Sequence, residues 1–168
     1  MAASAGAGLA VYTLFAARDQ WSVGCALGVA AAFLAAIAVV DACALLIPDI
    51  HVAVLAVLAF VGPLALDLPT ALAGAAVGGG LLWAVAEGFR RARGVIGLGL
   101  GDVKLMAAVG ALAGPVTVLW IVVSASVLAA AWIIARNGWR FAQAPPAPFG
   151  AAAALPAVVL LAMEHLGP

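Results

Sequence analysis

Charged residues divide this chain into long apolar stretches. Uncharged runs occupy residues 20–40, 68–86, 105–135 and 141–163, with shorter runs at 1–17 and 50–66. About 20 helical residues are needed to cross the roughly 30 Å hydrocarbon core of a bilayer. The pattern therefore predicts membrane-spanning helices near 3–17, 22–41, 51–66, 70–88, 102–114, 116–135 and 147–164.

The composition fits a membrane protein and not a soluble one. Of the 168 residues, 68% are hydrophobic and 8% are charged, and the mean hydropathy is +1.27. Soluble domains are roughly 45–50% apolar and 25% charged, and so few polar side chains cannot cover a small soluble domain. We expect one all-α domain over residues 1–168, a polytopic transmembrane bundle of about six to seven spans. The run Gly78-Gly79-Gly80 should let its helices approach closely.

Basic residues indicate how the spans are oriented, because cytoplasmic loops carry an excess of Lys and Arg. With seven spans and a cytoplasmic N-terminus, six basic residues face the cytoplasm: Arg90, Arg91, Arg93, Lys104, Arg136 and Arg140. Only Arg18 faces the other side. The bias predicts a cytoplasmic N-terminus, although loss of a span at 3–17 would change the side of the N-terminus alone.

Charge and cysteine content exclude several classes of function. Seven basic residues balance seven acidic ones, so the sequence offers no basic patch for nucleic acid. Cys25 and Cys43 lie in apolar runs without CxxC spacing, which predicts two buried thiols and no redox or metal role. His51 and His165 are the only histidines, and the topology separates them across the membrane. We therefore expect no metal and no other cofactor.

The acidic residues carry the candidate chemistry, because carboxylates are costly inside a membrane and mark function there. Three lie at predicted outer ends of spans, where water solvates them: Asp19, Asp67 and Glu164. Glu87 precedes Arg90 and Arg91 by three and four residues, a spacing that predicts ion pairs on one helix face. Asp41 and Asp102 remain as the functional candidates.

Asp41 and Asp102 both lie near the membrane surface without lying in a free loop. Asp41 ends the run 20–40 and is followed by the apolar Leu45-Leu46-Ile47. Asp102 follows the stretch Gly97–Gly101, in which three glycines disfavour regular helix. The span 102–114 would be about 20 Å long, shorter than the roughly 30 Å core, so Asp102 should lie below the cytoplasmic surface.

Two predicted spans, 51–66 and 70–88, separate the aspartates and return both to the cytoplasmic side. Two carboxylates in one low-dielectric site cannot easily both ionise, so the pair holds one proton between them. The ionised partner can then draw a proton from water while the protonated partner polarises a carbonyl. This pattern favours an intramembrane aspartyl protease. A small proton- or cation-coupled transporter using the same two aspartates is the alternative from another class.

Two segments resemble motifs of the type IV prepilin peptidases and the archaeal preflagellin peptidases. Gly99-Leu100-Gly101-Asp102 matches their GxGD motif, and Lys104 continues it with the family's typical basic residue. Asp41 is followed after six residues by Pro48 and Asp49, which is similar to the family's first motif of Asp, Pro and then Asp or Asn.

A late segment completes the resemblance, which covers about residues 20–164. Pro148-Phe149-Gly150 is similar to the family's Pro-Phe-Gly segment, with Ala151 where proline is common. The resemblance implies that Asp41 and Asp102 are catalytic and that the other motif residues bind substrate or support the site. Asp49 is expected to cap the helix that begins near His51. Lys104 either orients substrate and tunes the pair or extends to the lipid headgroups.

The resemblance also implies a substrate and a location. The substrates would be prepilins or pseudopilins, whose basic leader is removed just before the hydrophobic N-terminal helix. Cleavage would occur at the cytoplasmic face of the inner membrane, in the lipid bilayer, for type IV pilus assembly or protein secretion. Larger family members carry a further cytoplasmic region associated with N-methylation. The sequence contains no such region, so methyl transfer is not expected.

A presenilin-like or signal-peptide-peptidase-like protease is the alternative within the same chemistry, because those enzymes also use GxGD. Their first aspartate follows a tyrosine and their late motif reads Pro-Ala-Leu. Here Val40 precedes Asp41, and the late segment reads Ala154-Leu155-Pro156. These departures favour the prepilin peptidase interpretation.

Overall fold

The computed structural model describes residues 2–94, 98–137 and 147–166, with side chains for 20–92, 94, 98–136 and 147–166. Within these ranges it contains helices and no strands. The helices are α1 (Ala2–Ala44), α2 (Asp49–Phe60), α3 (Leu68–Arg93), α4 (Leu100–Asn137) and α5 (Phe149–Leu166). The all-α class expected from the sequence is confirmed.

Four helices contain segments that are long and apolar enough to cross a membrane: Gln20–Ala44, Leu68–Ala92, Leu100–Arg136 and Phe149–Leu166. α2 is apolar but has only 12 residues, about 18 Å of helix. Large side chains such as Trp21, Trp83 and Trp120 are exposed, as expected where lipid covers the surface. The chain is a multi-pass membrane protein, although the count of six to seven spans is not confirmed.

The boundary predicted between separate spans at 3–17 and 22–41 is wrong, because Ala2–Ala44 is a single helix of 43 residues. Arg18 and Asp19 end the apolar run, but charge does not interrupt a helical backbone. Residues 9–23 contain neither Gly nor Pro, the residues that most disfavour a helix interior. A helix that crosses the membrane once has its ends on opposite faces. The cytoplasmic N-terminus was predicted from two crossings, at 3–17 and 22–41, and one crossing does not support it.

The predicted span 51–66 is likewise wrong at its end, because α2 stops at Phe60 and Val61 is extended (φ −135°, ψ 118°). Gly62 has a φ of +113°, and it precedes Pro63, whose ring disfavours helical backbone in the residue before it. Hydrophobic side chains continue beyond this point, but the backbone ends the helix.

The predicted spans 102–114 and 116–135 form one helical element, α4, that is interrupted at Gly114 (φ 78°, ψ 171°), just before Pro115. A Cβ on Gly78 of α3 would press on the Met106 carbonyl group and would lie 2.9 Å from Cγ2 of Val118. In a straight helix Met106 and Val118 would be about 18 Å apart. The chain therefore reverses at Gly114, and α4 is a helical hairpin.

The C-terminal end of α5 is bonded to the tip of this hairpin. His165 Nε2 donates to the Leu112 carbonyl oxygen at 3.0 Å, and Thr117 Oγ1 donates to Glu164 at 2.8 Å. Leu112 lies two residues before the break at Gly114, where the regular helical hydrogen bonds stop. These bonds fix α5 against the end of α4 that is remote from Asp102.

Cys25 and Cys43 are both exposed, so the prediction of buried thiols is wrong. An apolar run in a membrane helix can face lipid or protein equally well, because both surroundings are apolar. The hydrophobicity of the run therefore does not decide which side chains enter the bundle interior.

α3 and the first half of α4 pack backbone against backbone. A Cβ on Gly74 would overlap the carbonyl oxygen of Gly110, and a Cβ on Gly110 would overlap that of Gly74. A Cβ on Gly79 would lie 2.9 Å from that of Ala107. Such close approach provides the van der Waals contact that holds helices together in lipid. The close-packing role expected for the glycine triplet is confirmed for Gly78 and Gly79, whereas a Cβ on Gly80 would meet nothing within 4 Å.

We predict that Gly74→Ala destabilises the protein and that Gly80→Ala does not. Overpacking of this kind costs about 1–3 kcal/mol, because α3 and α4 must separate to admit the methyl group. At the open Gly80 position, alanine should stabilise the helix by roughly 0.5–1 kcal/mol. Thermal unfolding in detergent checks both variants. Equal melting temperatures for the two would contradict the glycine interface.

Candidate active site

Asp41 is a buried carboxylate in the last turn of α1, with 4% of its surface exposed. Its Oδ2 accepts a hydrogen bond of 3.0 Å from the backbone N–H of Ala151, the third residue of α5. The first N–H groups of a helix have no partner within the helix, and their positive end favours a carboxylate. The start of α5 therefore supplies a donor that a buried carboxylate needs.

Gly150 allows this approach, and Ile47 packs beside it. A Cβ on Gly150 would lie 3.1 Å from Asp41 Oδ2 and 3.1 Å from Ile47 Cδ1. A Cβ on Gly101 of α4 would lie 3.1 Å from Cβ of Ile47. Ile47 thus sits between the starts of α4 and α5, with a glycine on each side.

Asp102 lies in the first turn of α4. Its Oδ2 accepts a hydrogen bond of 3.3 Å from the backbone N–H of Gly99, and its own N–H donates to the Gly99 carbonyl at 3.2 Å. The prediction of irregular backbone before Asp102 is confirmed at Leu98 and Gly99, whereas α4 already includes Leu100 and Gly101. Gly97 lies outside the described residues.

Both aspartates line one cavity of about 480 Å³. Seven of the ten predicted site residues are in its wall: Asp41, Pro48, Asp49, Gly99, Gly101, Asp102 and Lys104. The other wall residues are the apolar Leu45, Leu46 and Ile47. The cavity thus combines two carboxylates with an apolar strip.

The helices that carry the two aspartates do not pack against each other. In the part of the chain that the structure describes, no Cα atom of α1 lies within 8 Å of one in α4, whereas α5 and α2 each approach both helices this closely. The segment from Leu45 to Pro48, which joins α1 to α2, is not helical, and Leu45 has a φ of +51°. The positions of the two carboxylates therefore depend on intermediary elements.

Asp49 and Lys104 form an ion pair at the cavity. Lys104 Nζ donates to the two carboxylate oxygens of Asp49 at 3.0 and 3.1 Å. The prediction that Asp49 caps the following helix is wrong, because Pro48 is the N-cap of α2 and no side chain bonds there. Asp49 is the first residue of α2, and its carboxylate bonds the Lys104 ammonium instead.

Pro148 precedes α5, and Phe149 and Gly150 are its first two residues; a Cβ on Gly150 would lie beside Asp41. Phe149 packs against the apolar core, and Pro148 accepts a hydrogen bond from Ala152 N–H at 3.1 Å. His51 does not line the cavity; its ring makes an edge contact with Phe33, with centroids 5.5 Å apart. Sequence reasoning missed Ile47 and the Ala151 N–H, because a backbone donor and an apolar contact carry no motif.

Two other acidic residues, Glu87 and Asp67, have partners close to them in sequence. Glu87 pairs with Arg90 at 2.7 Å and with Arg91 at 2.6 Å, which confirms the predicted (i, i+3) and (i, i+4) pairs. Asp67 caps α3 by accepting from Thr70 N–H at 3.2 Å. Over the described residues, no three His, Cys, Asp or Glu side chains are grouped so that they could hold a metal ion. The metal-free chemistry expected from the sequence stays a prediction.

Comparison with known proteins agrees with the motifs. Residues 28–134 match the model of the type IV leader peptidase family, a stretch that includes Asp41 and Asp102. A prepilin leader peptidase/N-methyltransferase from Xanthomonas campestris pv. campestris is 38% identical over 125 residues, which are 70% of this chain and 42% of that protein. This chain thus spans less than half the length of that relative. No solved structure matches. Because the family match covers more than half of the sequence, the resemblance is confirmed: the chain belongs to the type IV leader peptidase family.

Proposed function

We propose that this protein is an aspartyl endopeptidase that removes leaders from prepilin-like proteins. One observation carries the proposal: two aspartates from separate family motifs line the same cavity. The family match includes both of them. No other acidic residue of the described chain except Asp49 lines this cavity, and Asp49 is paired with Lys104. Asp41 and Asp102 are therefore the carboxylates free to act on water.

The reaction needs only these two side chains and water. The reaction requires the pair to hold one proton, so that one aspartate is a base and the other an acid. The ionised aspartate takes a proton from water as the water oxygen attacks the scissile carbonyl carbon, and the protonated aspartate hydrogen-bonds the carbonyl oxygen. The tetrahedral intermediate collapses when the C–N bond breaks and the leaving nitrogen receives the proton that the first aspartate took from water. The products are a leader with a new carboxylate and a mature chain with a new amino group.

The apolar strip beside the pair supports a substrate that continues into the membrane. Leu45 and Leu46 line the cavity and are exposed, so they can contact an apolar helix that enters from lipid. The substrate class follows from the family: a prepilin or pseudopilin with a basic leader before a hydrophobic helix, cleaved at the cytoplasmic face of the inner membrane. The relative's name also includes an N-methyltransferase activity, which our proposal does not extend to this chain.

We predict that Asp41→Asn and Asp102→Asn each reduce leader cleavage by at least about 10²–10⁴-fold, the usual range for a lost general acid or base. The double variant should be no slower than either single variant, because residues that act as one unit are not additive. The measurement is the rate at which the purified protein converts a candidate prepilin to its shorter mature form, resolved on a denaturing gel. Asp67→Asn is the matched control, since asparagine also caps helices. Full processing by either single variant would contradict the proposal that Asp41 and Asp102 are both catalytic.

We predict that a chelator leaves leader cleavage intact, because paired carboxylates activate water without a metal. A metal-dependent enzyme would lose activity in chelator and regain it when zinc or another divalent ion is added back. The measurement is the cleavage rate before and after stripping, with Asp102→Asn as the inactive reference. Activity that only added metal restores would overturn the aspartyl mechanism.

We predict that Gly150→Ala lowers kcat about tenfold and leaves the melting temperature nearly unchanged. The added methyl group lies 3.1 Å from Asp41 Oδ2, so the carboxylate must shift by a few tenths of an ångström, and misplacement by about 1 Å can reduce rates about 10²-fold. Gly88→Ala is the control, because a Cβ there meets nothing within 4 Å. Equal kcat values for the two variants would show that Gly150 does not position Asp41.

A further inference from the structure

We propose that the ion pair between Asp49 and Lys104 positions the two aspartates relative to each other. This inference rests on the proposed function of Asp41 and Asp102. It assigns to Asp49 and Lys104 a positioning role and no contact with the reacting atoms. The pair joins the two family motifs directly, since Asp49 belongs to the first motif and Lys104 follows the GxGD aspartate by two residues.

The need for such a link arises from the helix arrangement. Within the described chain, Asp41 and Asp102 lie on helices whose Cα atoms stay more than 8 Å apart. The non-helical segment after α1, which includes Leu45 with its φ of +51°, leads from Asp41 to Asp49. Without further contacts, this segment would allow the end of α1 to move relative to the start of α4.

Two contacts join this segment and the first residue of α2 to the start of α4. Ile47 packs on Gly101, an apolar contact that does not specify direction. Lys104 Nζ bonds both oxygens of Asp49 at 3.0 and 3.1 Å, and such charge-assisted hydrogen bonds are shorter and stronger than neutral ones. The ion pair therefore sets how the first motif is seated against the second.

The pair is exposed, which separates positioning from stability. The side chains of Lys104 and Asp49 are 54% and 75% exposed, and ion pairs in such surroundings contribute little to folding. Breaking the pair should therefore leave the bundle folded. The Lys104 ammonium is bonded to Asp49 in this pair and does not extend towards the headgroups.

A double-mutant cycle with separate kcat and KM values tests the proposal. Lys104→Met and Asp49→Ala should each lower kcat at least tenfold and change KM by less than twofold, since misplaced aspartates still bind substrate. The combined variant should be no slower than either single one, because one interaction is lost in all three. Lys104→Arg retains the charge and the bidentate pairing, so its kcat should stay within threefold of the unmodified protein.

The opposite kinetic results would overturn the proposal. A rise in KM with unchanged kcat in Lys104→Met would mean that Lys104 binds substrate directly. Additive losses in the combined variant would mean that Asp49 and Lys104 act separately. Unchanged kinetics in both single variants would mean that the pair does not affect the site.

A second measurement does not depend on peptidase activity. Cysteines replace Asp41 and Asp102 in a background with Cys25→Ala and Cys43→Ala, and a short bifunctional thiol reagent joins them. Adding Lys104→Met should lower the crosslinking yield at least threefold, whereas adding Lys104→Arg should not. An unchanged yield with Lys104→Met would overturn positioning. If the unmodified protein cleaves no prepilin, the proposed function fails while the crosslinking result still decides whether the ion pair sets the distance.

Discussion

The burial of the Asp41 carboxylate is the constraint on which the candidate site depends. An unpaired carboxylate inside an apolar bundle is costly, so a donor has to reach it. The donor is the Ala151 N–H at the start of α5, and it can approach because Gly150 has no side chain. The position of α5 is fixed in turn at its other end, where His165 and Glu164 bond the hairpin of α4. The site and the far end of the bundle are therefore joined through one helix.

Asp102 depends on a different kind of interaction. The first half of α4 is held against α3 by contact between backbones at Gly74 and Gly110, and this packing leaves little freedom to slide along the helix axis. Asp102 lies at the start of this half of α4, and its carboxylate accepts a hydrogen bond from the Gly99 N–H. One aspartate is thus located by hydrogen bonding to α5, and the other by van der Waals packing against α3. The contacts of Ile47 and Asp49 with α4 connect the part of the structure that holds Asp41 to the part that holds Asp102.

The sequence predicted several parts of this structure that depend on side-chain chemistry. Apolar runs indicated the helices, and the spacing of Glu87 from Arg90 and Arg91 indicated their ion pairs. Motif residues distant in sequence were expected at one site, and most of them line one cavity. Backbone geometry was not predictable in the same way. Arg18 and Asp19 suggested a boundary inside a continuous helix, and Gly62 before Pro63 ended α2 although apolar residues continue. The bond between Asp49 and Lys104 joins residues 55 apart in sequence, a separation at which neither helical periodicity nor motif spacing specifies a partner.

The shortness of α2 has a consequence for the lipids around the site. Its 12 residues span about 18 Å, whereas the hydrocarbon core is roughly 30 Å thick. Apolar side chains along this helix, among them Ile50, Val57 and Phe60, are exposed and require acyl chains beside them. A helix shorter than the hydrocarbon core is accommodated by thinning of the bilayer, by flanking side chains that reach the interface, or by neighbouring protein. The end of α2 at Phe60 therefore leaves about 12 Å of the core thickness beside the cavity for these to cover.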